Sequence, residues 1–350
     1  MLFETVYIEH PVNLLQDYIG NFFKTLEDID ENIKQFDVNL CDENFRMYIN
    51  RAPKLKKHLS DFFKVFIKLT SEERKHVCNA FCCCNKIQDQ VENNEACFIL
   101  SDLPAKIRKA TKKLFVYMYE TTLNSVGHIK DHYQNFHEAI PLKVCPFCGI
   151  EKFLHYEDYK QDYDHYLCKD IYPLAAVNMQ NLIPMGRDCN SIYKKKKDVL
   201  HKEDGSRRKA FYPFQLNGTS IEVKLNGSSC PTVNNRKGDW YISFVPDIEE
   251  VHTWDDIFQI RNRYRKYIFE EEYDSWLTRF IETARNFSNN NGPWTEEAVK
   301  MALDKYINTL DQDDITKYHD NTFLENSLFR FICDEADSKT IKAIAKMIMG

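Results

Sequence analysis

The most informative part of the sequence runs from Cys145 to Lys197 and reads CPFCGIEKFLHYEDYKQDYDHYLCKDIYPLAAVNMQNLIPMGRDCNSIYKKKK. It begins with Cys145 and Cys148 in a CxxCG turn, a spacing that can bring two thiolates to one metal ion. A structural zinc ion normally takes four protein ligands. The turn is therefore half of a site, and the residues that follow it should supply the other half.

Short apolar segments alternate with polar residues along the rest of this stretch. DYDHYL is typical of a short aromatic-rich strand, with Asp164 and His165 at its end. Asn181 stands directly before a second apolar strand, and Asn190 leads into a segment that we predict to be a helix carrying Lys194 to Lys197. The order predicts two short strands followed by a helix.

This order of features resembles the HNH endonuclease family over about 50 residues. The resemblance implies a ββα-metal fold, in which two strands and a helix surround one divalent ion, Mg²⁺ or Mn²⁺. It implies that Asp164 and Asn190 hold this ion and that His165 is the general base. It also implies that Asn181 braces the loop that orients His165 without touching the substrate.

Phosphodiester hydrolysis requires residues of these types. A histidine with an ordinary pKa near 6.5 can be neutral at cytosolic pH and accept a proton from water, as the resemblance implies for His165. The oxygen ligands of Asp164 and Asn190 suit Mg²⁺ or Mn²⁺. Such an ion polarises the scissile phosphate and neutralises the leaving oxygen. Taken singly, Asn181 is more typical of a turn residue and Asn190 of a helix cap; the catalytic interpretation depends on the ordered set.

The four consecutive lysines are ordinarily the mark of a solvated helix face. Because they follow Asn190, we predict that Lys194, Lys195 and Lys196 contact backbone phosphates. Many relatives carry a lysine three residues after this asparagine, where this chain has Tyr193. Which side chain touches phosphate therefore stays open.

In zinc-bearing relatives, the second pair of ligands precedes the third signature residue as C-x-x-C-N. Cys189 occupies the second cysteine position here, whereas Gly186 occupies the first. Three of the four zinc ligands are thus present, and Cys168 is the nearest spare thiol for the fourth. A site that holds no zinc stays open as the alternative. More distant candidates for the fourth ligand are Cys230, His155 and His201. A zinc ion here would be structural, because thiolates suit zinc better than the hard ions of phosphate chemistry.

The composition and charge of the chain limit which classes of protein it can belong to. The chain has 350 residues, twelve cysteines and a formal net charge of −6. Its first residues lack the basic start and long apolar run of a signal peptide, and no run approaches the ~18 apolar residues of a membrane span. We therefore expect a soluble cytoplasmic protein with reduced thiols rather than disulfides. Residues 141–215 carry thirteen Lys and Arg against ten Asp and Glu, which favours a confined phosphate-binding site.

The pattern predicts three segments in a mainly α fold. Residues 1–140 have apolar residues at helical spacing and read as an all-α domain, possessing a capping box at Thr70 and Glu73. Residues 141–215 form the small α+β HNH module. Residues 216–350 read as a β-hairpin, from TSIEVKL and DWYISFVP, followed by helices.

The layout also resembles the HNH subunits of bacterial anti-phage ATPase–nuclease systems, of Septu-type and retron-associated kinds. That resemblance implies a nuclease held by an ATPase partner, with the helical N-terminal domain as the docking surface. The substrate it implies is nucleic acid, with DNA favoured over RNA. A tRNA-cutting ribonuclease of the same family and a non-catalytic zinc-knuckle module that binds nucleic acid are the alternatives.

Overall fold

Helices make up most of the chain, as the sequence predicts. The computed structural model describes residues 1–30, 32–287, 293–311 and 316–350. Residue contacts divide the chain into two units. The N-terminal unit consists of Glu4–Lys143 and Phe153–Leu216, and the C-terminal unit of Met1–Phe3, Val144–Lys152 and Asn217–Gly350. The division into three segments stays a prediction, although the chain passes between units close to both predicted boundaries.

The N-terminal unit is built on amphipathic helices around an aromatic core. The helices are α1 (Leu14–Glu27), α2 (Glu43–Arg51), α3 (Pro53–Phe66), α4 (Ser71–Cys84), α5 (Ile87–Val91), α6 (Ala105–Tyr117), α7 (Leu123–Val126) and α8 (Ile129–Ala139). The capping box that opens α4 is confirmed, because Thr70 accepts from the amide of Glu73 and Glu73 accepts from that of Thr70. Phe23 stacks on Phe81 with 4.1 Å between ring centroids, so α1 and α4 share one core.

Two three-residue strands follow the helices in this unit. β1 (Tyr163–His165) pairs antiparallel with β2 (Leu182–Pro184), and both are buried along their whole length. Both strands lie where the sequence predicts them. In the register, His165 is opposite Leu182 and Asp164 is opposite Ile183.

The helix predicted to carry four lysines is shorter than expected. A π-helical turn spans Asp188–Lys194 and ends there, because Lys195 has a φ of 51° and reverses the chain. Only the first lysine of the run therefore belongs to a helix. The side chain of Lys194 turns inward and is 0% exposed, so the chain cannot continue as a solvated lysine face.

The C-terminal unit contains the predicted hairpin and a set of helices. β3 (Glu222–Lys224) pairs antiparallel with β4 (Ser243–Val245). The helices are α9 (Glu249–Phe258), α10 (Ile260–Tyr264), α11 (Glu270–Phe287), α12 (Glu296–Leu310), α13 (Thr322–Glu335) and α14 (Ser338–Met349). None of the described helices combines the length and the apolar character needed to cross a bilayer.

Candidate functional site

His165 is buried on the β1–β2 pair in a defined orientation. Its Nε2 lies 3.0 Å from the carbonyl oxygen of Ala176. A carbonyl can only accept, so Nε2 carries the proton and Nδ1 carries the lone pair of the neutral ring. Burial, followed by the nearby charge of Lys169, lowers the pKa of His165 to about 3. The imidazole is therefore neutral at physiological pH and can accept a proton at Nδ1.

Asn181 fixes the loop that presents the Ala176 carbonyl. Its side-chain oxygen accepts from the amide of Leu167 at 2.6 Å, and its Nδ2 donates to the carbonyls of Leu167 and Ala175 at 3.1 Å each. The side chain is 0% exposed, so these bonds do not compete with water. Because Ala176 follows Ala175, Asn181 holds the acceptor of the His165 ring in place. It reaches the loop after β1 and does not reach the imidazole itself.

Asp164 points to the other side of the strand pair and is engaged by Lys194. The two side chains form an ion pair, with 2.8 Å between Lys194 Nζ and Asp164 Oδ2. Lys194 Nζ also donates to the carbonyl of His165 at 2.7 Å. Burial raises the pKa of the Asp164 carboxyl, and the ammonium of Lys194 opposes that rise. Lys194 is thus an internal counter-ion rather than an exposed phosphate contact.

Asn190, Lys195 and Lys196, the other predicted residues of this segment, do not contact His165 or Asp164 in any described hydrogen bond or ion pair. Asn190 closes the π-helical turn through its backbone, accepting from the amide of Lys195 and donating to the carbonyl of Gly186 at 2.9 Å each. Lys195 is exposed. Lys196 has a side chain that is 80% exposed and an ammonium 2.6 Å from Asp170. Of the three predicted phosphate contacts, Lys195 and Lys196 are at the surface.

The described residues, as arranged, do not fit a Mg²⁺ or Mn²⁺ ion on Asp164 and Asn190. The carboxylate oxygen that such an ion would use already lies 2.8 Å from the Lys194 ammonium. A second cation cannot share that oxygen without strong repulsion. Among the described residues, the group of three or more His, Cys, Asp or Glu side chains whose ligand atoms all lie within 4.8 Å of one another consists of cysteines and does not include Asp164.

A cavity lies on the His165 face of the strand pair. Residues two apart in a strand, and residues directly opposite in the register, share a face, so Tyr163, His165 and Leu182 do so. Tyr163 and Leu182 line a cavity of about 540 Å³, together with Tyr119, whose ring meets that of His165 at 4.2 Å between centroids. The volume lies in the range of small-ligand sites. Further lining residues are Glu120, Leu123, Asn124, His128, Ile129, Lys130, Asp131 and Lys160.

The CxxCG turn is held by hydrogen bonds to its backbone within the C-terminal unit. Gly149 donates to the carbonyl of Cys145 at 2.9 Å with a φ of 68°, which favours glycine because a Cβ there would lie 2.6 Å from Leu2 Cδ1. Trp254 Nε1 donates to the carbonyl of Phe147 at 2.6 Å, and the Tyr264 hydroxyl donates to that of Cys148 at 2.8 Å.

The three predicted zinc ligands are brought together. The sulfur atoms of Cys145, Cys148 and Cys189 lie within 4.8 Å of one another, and all three residues are buried. This group could bind a metal ion, and three thiolates leave one position of a tetrahedral ion for another ligand. Cys168 is buried but is not a member of the group. Among the described residues, no other His, Cys, Asp or Glu completes it at that spacing.

Several residues that shape the site are not apparent from the sequence. Tyr119 ends the apolar run LFVYMY at residues 114–119, which carries no catalytic motif, and the counter-ion role of Lys194 is hidden in a run of four identical residues. Trp254 and Tyr264 lie more than a hundred positions after the turn that they hold. Nothing in the sequence separates Lys194 from the three lysines that follow it.

Comparison with protein-family models, with curated proteins and with solved structures finds no match to this chain.

Proposed function

We propose that the chain is an HNH-type endonuclease that hydrolyses phosphodiester bonds of nucleic acid, with His165 as the general base. The observation that carries the proposal is the hydrogen bond from His165 Nε2 to the Ala176 carbonyl. It leaves the Nδ1 lone pair to take a proton from an attacking water. Asn181 supports this orientation through the backbone on both sides of the loop.

Substrate binding should make His165 a stronger base. With a pKa of about 3, the imidazole holds a proton poorly. A phosphate brought close to the ring places negative charge beside it and raises its pKa. His165 would therefore take a proton from water efficiently only when nucleic acid is bound, and it would activate little water in the free protein.

The cavity on the His165 face supports access by a nucleotide. Its lining includes the aromatic rings of Tyr119 and Tyr163, on which a base can stack, and the ammonium groups of Lys130 and Lys160, which can meet a phosphate. Lys195 adds a cation at the surface of the same unit. We favour DNA over RNA as the substrate, and a tRNA substrate is tested alongside it below.

The two metal sites of this proposal rest on different observations. We propose structural zinc as the ion of the Cys145, Cys148 and Cys189 group, because soft thiolates select zinc over hard ions. The family resemblance implies Mg²⁺ or Mn²⁺ on Asp164 and Asn190. Because the ammonium of Lys194 forms an ion pair with the Asp164 carboxylate, the proposed reaction assigns no step to that ion.

The test is cleavage by the purified full-length chain and by two histidine variants. Plasmid, linear DNA and total tRNA are each incubated with Mg²⁺, with Mn²⁺ or with EDTA. His165→Ala should abolish cleavage while nucleic-acid binding is kept. His252→Ala, whose side chain is 63% exposed in the C-terminal unit, is the matched control and should cleave like the wild type. Equal cleavage by His165→Ala would end the proposal.

A non-catalytic binding module is the second candidate, and one observation favours it. Asp164 and His165 are 5% and 7% exposed, and Lys194 neutralises the carboxylate. A binding module predicts that the wild type binds nucleic acid under every condition above and cleaves none of it. Degradation by the wild type that requires His165 excludes this candidate.

We further propose, from the layout, that the chain is a cytoplasmic effector of an anti-phage system with an ATPase partner. Removing residues 1–139 would not test the docking role, because Tyr119 packs on His165. Co-purification of the intact chain with the product of a neighbouring ATPase gene is the better test. Purification of the chain alone after co-expression would count against the partner.

A further inference from the structure

Helix α6 carries a concentrated positive charge in a chain that is acidic overall. It has four lysines and one arginine but no Asp or Glu, whereas the whole chain has a formal net charge of −6. Helix α3, which packs against α6, has four lysines and one Asp. Two adjacent helices with an excess of one sign of charge form a surface that attracts the opposite sign.

The lysines of α6 follow its solvent face at helical intervals. Lys106, Lys109 and Lys113 stand at i, i+3 and i+7, and all three side chains are exposed. The opposite face of the helix packs into the core through Ile107 and Leu114. Within the described ranges, none of the three lysines forms an ion pair. Their charges are therefore available to a partner.

The lysines of α3 adjoin this face at one edge. The ring of His58 on α3 lies 4.8 Å from the ring of Tyr117 on α6, measured between centroids. Burial lowers the pKa of the His58 imidazole, and three nearby ammonium groups lower it further against one carboxylate. They belong to Lys54, Lys57 and Lys113. Cations of two helices thus gather on one side of the N-terminal unit.

The other edge of α6 leads to the loop after β1. Asp170 in that loop accepts from two cations, at 2.8 Å from Lys112 Nζ and 2.6 Å from Lys196 Nζ. One carboxylate between two ammonium groups leaves this cluster positive. Lys169, the preceding residue, has its ammonium 4.7 Å from the centre of the tyrosine ring that contacts His165. The positive surface therefore continues to the candidate site.

A solvated helix face is the simpler account of a group of lysines. Such faces ordinarily mix both signs of charge. Helices α1, α4 and α12 do so, since each carries at least two acidic residues beside its basic ones. Helix α6 keeps five cations together instead, and it lies between the lysines of α3 and the loop next to His165. Solubility alone does not account for that arrangement.

We propose that the solvent face of α6, together with the start of α3 and Lys196, is a track for the phosphate backbone of duplex DNA. We call this surface the basic face. The inference rests on the proposed function, because it names the surface along which the substrate lies. The 13 residues of α6 span about 20 Å, the length of about six base pairs. Its lysines position the duplex and read no sequence.

Binding of a short duplex DNA to the full-length chain tests this proposal. The linkages are phosphorothioates, which slow hydrolysis, and fluorescence anisotropy follows binding over a range of salt concentrations. Lys57→Gln/Lys109→Gln/Lys113→Gln should bind about tenfold more weakly or worse at low salt. The slope of log K against log salt concentration should fall by about 2 to 3, because each lost phosphate contact retains about one counterion. Lys57→Arg/Lys109→Arg/Lys113→Arg keeps the charge and should keep the affinity.

A second triple variant controls for net charge. Lys24→Gln/Lys75→Gln/Lys300→Gln removes three exposed charges from α1, α4 and α12 and should bind like the wild type. All variants should keep the wild-type melting temperature, because Lys, Arg and Gln have similar helix propensities. Equal weakening in both Gln variants overturns the proposal, since net charge alone would then control binding.

An unchanged affinity after neutralisation of the basic face also overturns the proposal. If that variant then fails to co-purify with the ATPase, the face belongs to an acidic protein partner instead. The binding assay needs no cleavage. Equal cleavage by His165→Ala would therefore end the proposed nuclease without changing these affinities, so failure of the track and failure of the nuclease are distinguished.

Discussion

The ring of Tyr119 meets the imidazole of His165 edge-on, with 4.2 Å between the ring centroids and 66° between the planes. Tyr119 lies in a five-residue π-helical segment, Met118–Thr122, between α6 and α7. Lys169 covers the Tyr119 ring with its ammonium 4.7 Å from the ring centre. Tyr119 thus packs against the imidazole, and Lys169 packs in turn on the Tyr119 ring.

Replacing this ring should change the pKa of His165. Tyr119→Ala admits water to the imidazole, so we expect the pKa to rise from about 3 toward its ordinary 6.5. Tyr119→Phe keeps the ring and should leave the pKa low. The measurement is an NMR titration of the His165 Cε1 proton, assigned by its loss in His165→Gln. An unchanged pKa in Tyr119→Ala would show that other neighbours bury the imidazole.

Asn181→Ala should destabilise the N-terminal unit strongly. The change leaves the amide of Leu167 and the carbonyls of Leu167 and Ala175 without their partner. Each buried group without a partner costs about 1–3 kcal/mol, so we expect a loss of about 3 kcal/mol or more in the free energy of unfolding. Urea denaturation measures it. Asn44→Ala, at an exposed position of α2, is the control and should stay within about 0.5 kcal/mol.

The sequence predicts the strands of the site because their signals are local. The alternation around Asp164 and the apolar run after Asn181 are sufficient to place β1 and β2. The capping box at Thr70 is equally local and equally correct. The sequence also predicts that Cys189 joins Cys145 and Cys148. That prediction comes from the C-x-x-C-N spacing of zinc-bearing relatives and not from a local structural signal.

What the sequence does not predict depends on tertiary contacts. A run of four identical lysines does not indicate that the side chain of Lys194 is buried. Its burial accompanies an ion pair with Asp164 of β1, which is a tertiary contact. The helix ends at Lys194 because Lys195, with a φ of 51°, reverses the chain, and the lysine run does not signal this reversal either. The contact of Tyr119 with His165 joins residues 46 positions apart through a π-helical segment, and no local pattern predicts such a segment.

The stability of the N-terminal unit should fall in mild acid because of His132. Burial, then the charge of His10, lowers the pKa of His132 from 6.5 to about 4. The unfolded chain therefore binds this proton below pH 6.5 while the folded chain does not, so stability is lost as the pH falls through that window. At pH 5 the loss from His132 is about 2 kcal/mol.

His132→Gln removes this titration and tests the assignment. Urea unfolding at pH 7 and pH 5 should show a smaller loss in the variant than in the wild type, by about 2 kcal/mol. The comparison uses the change with pH, so a different stability of the variant at pH 7 does not affect it. A loss with pH equal to that of the wild type would assign the acid sensitivity to other groups.

Removal of one thiolate should release the proposed zinc ion. We expect one zinc per wild-type chain by elemental analysis and a substoichiometric amount in Cys189→Ser, since two thiolates are a poor zinc site. Cys82→Ser changes an exposed thiol outside the group and should keep its zinc. A chelator should lower the melting temperature of the wild type more than that of Cys189→Ser. A zinc-free wild type would leave the group as buried thiols.

Trp254→Phe should weaken zinc binding without touching a ligand. The indole N–H donates to the carbonyl of Phe147 inside the CxxCG turn, and its loss frees the backbone between the two cysteines. Loss of a partner that orients metal ligands typically costs 10–100-fold in affinity, so we expect at least a tenfold weaker Kd in chelator competition. Trp240→Phe also loses an indole hydrogen bond, but its acceptor is the carbonyl of Lys237 and not one in the turn, so this variant should bind zinc like the wild type. An equal loss in both variants would mean that general destabilisation of the C-terminal unit, rather than the orientation of the turn, controls the affinity.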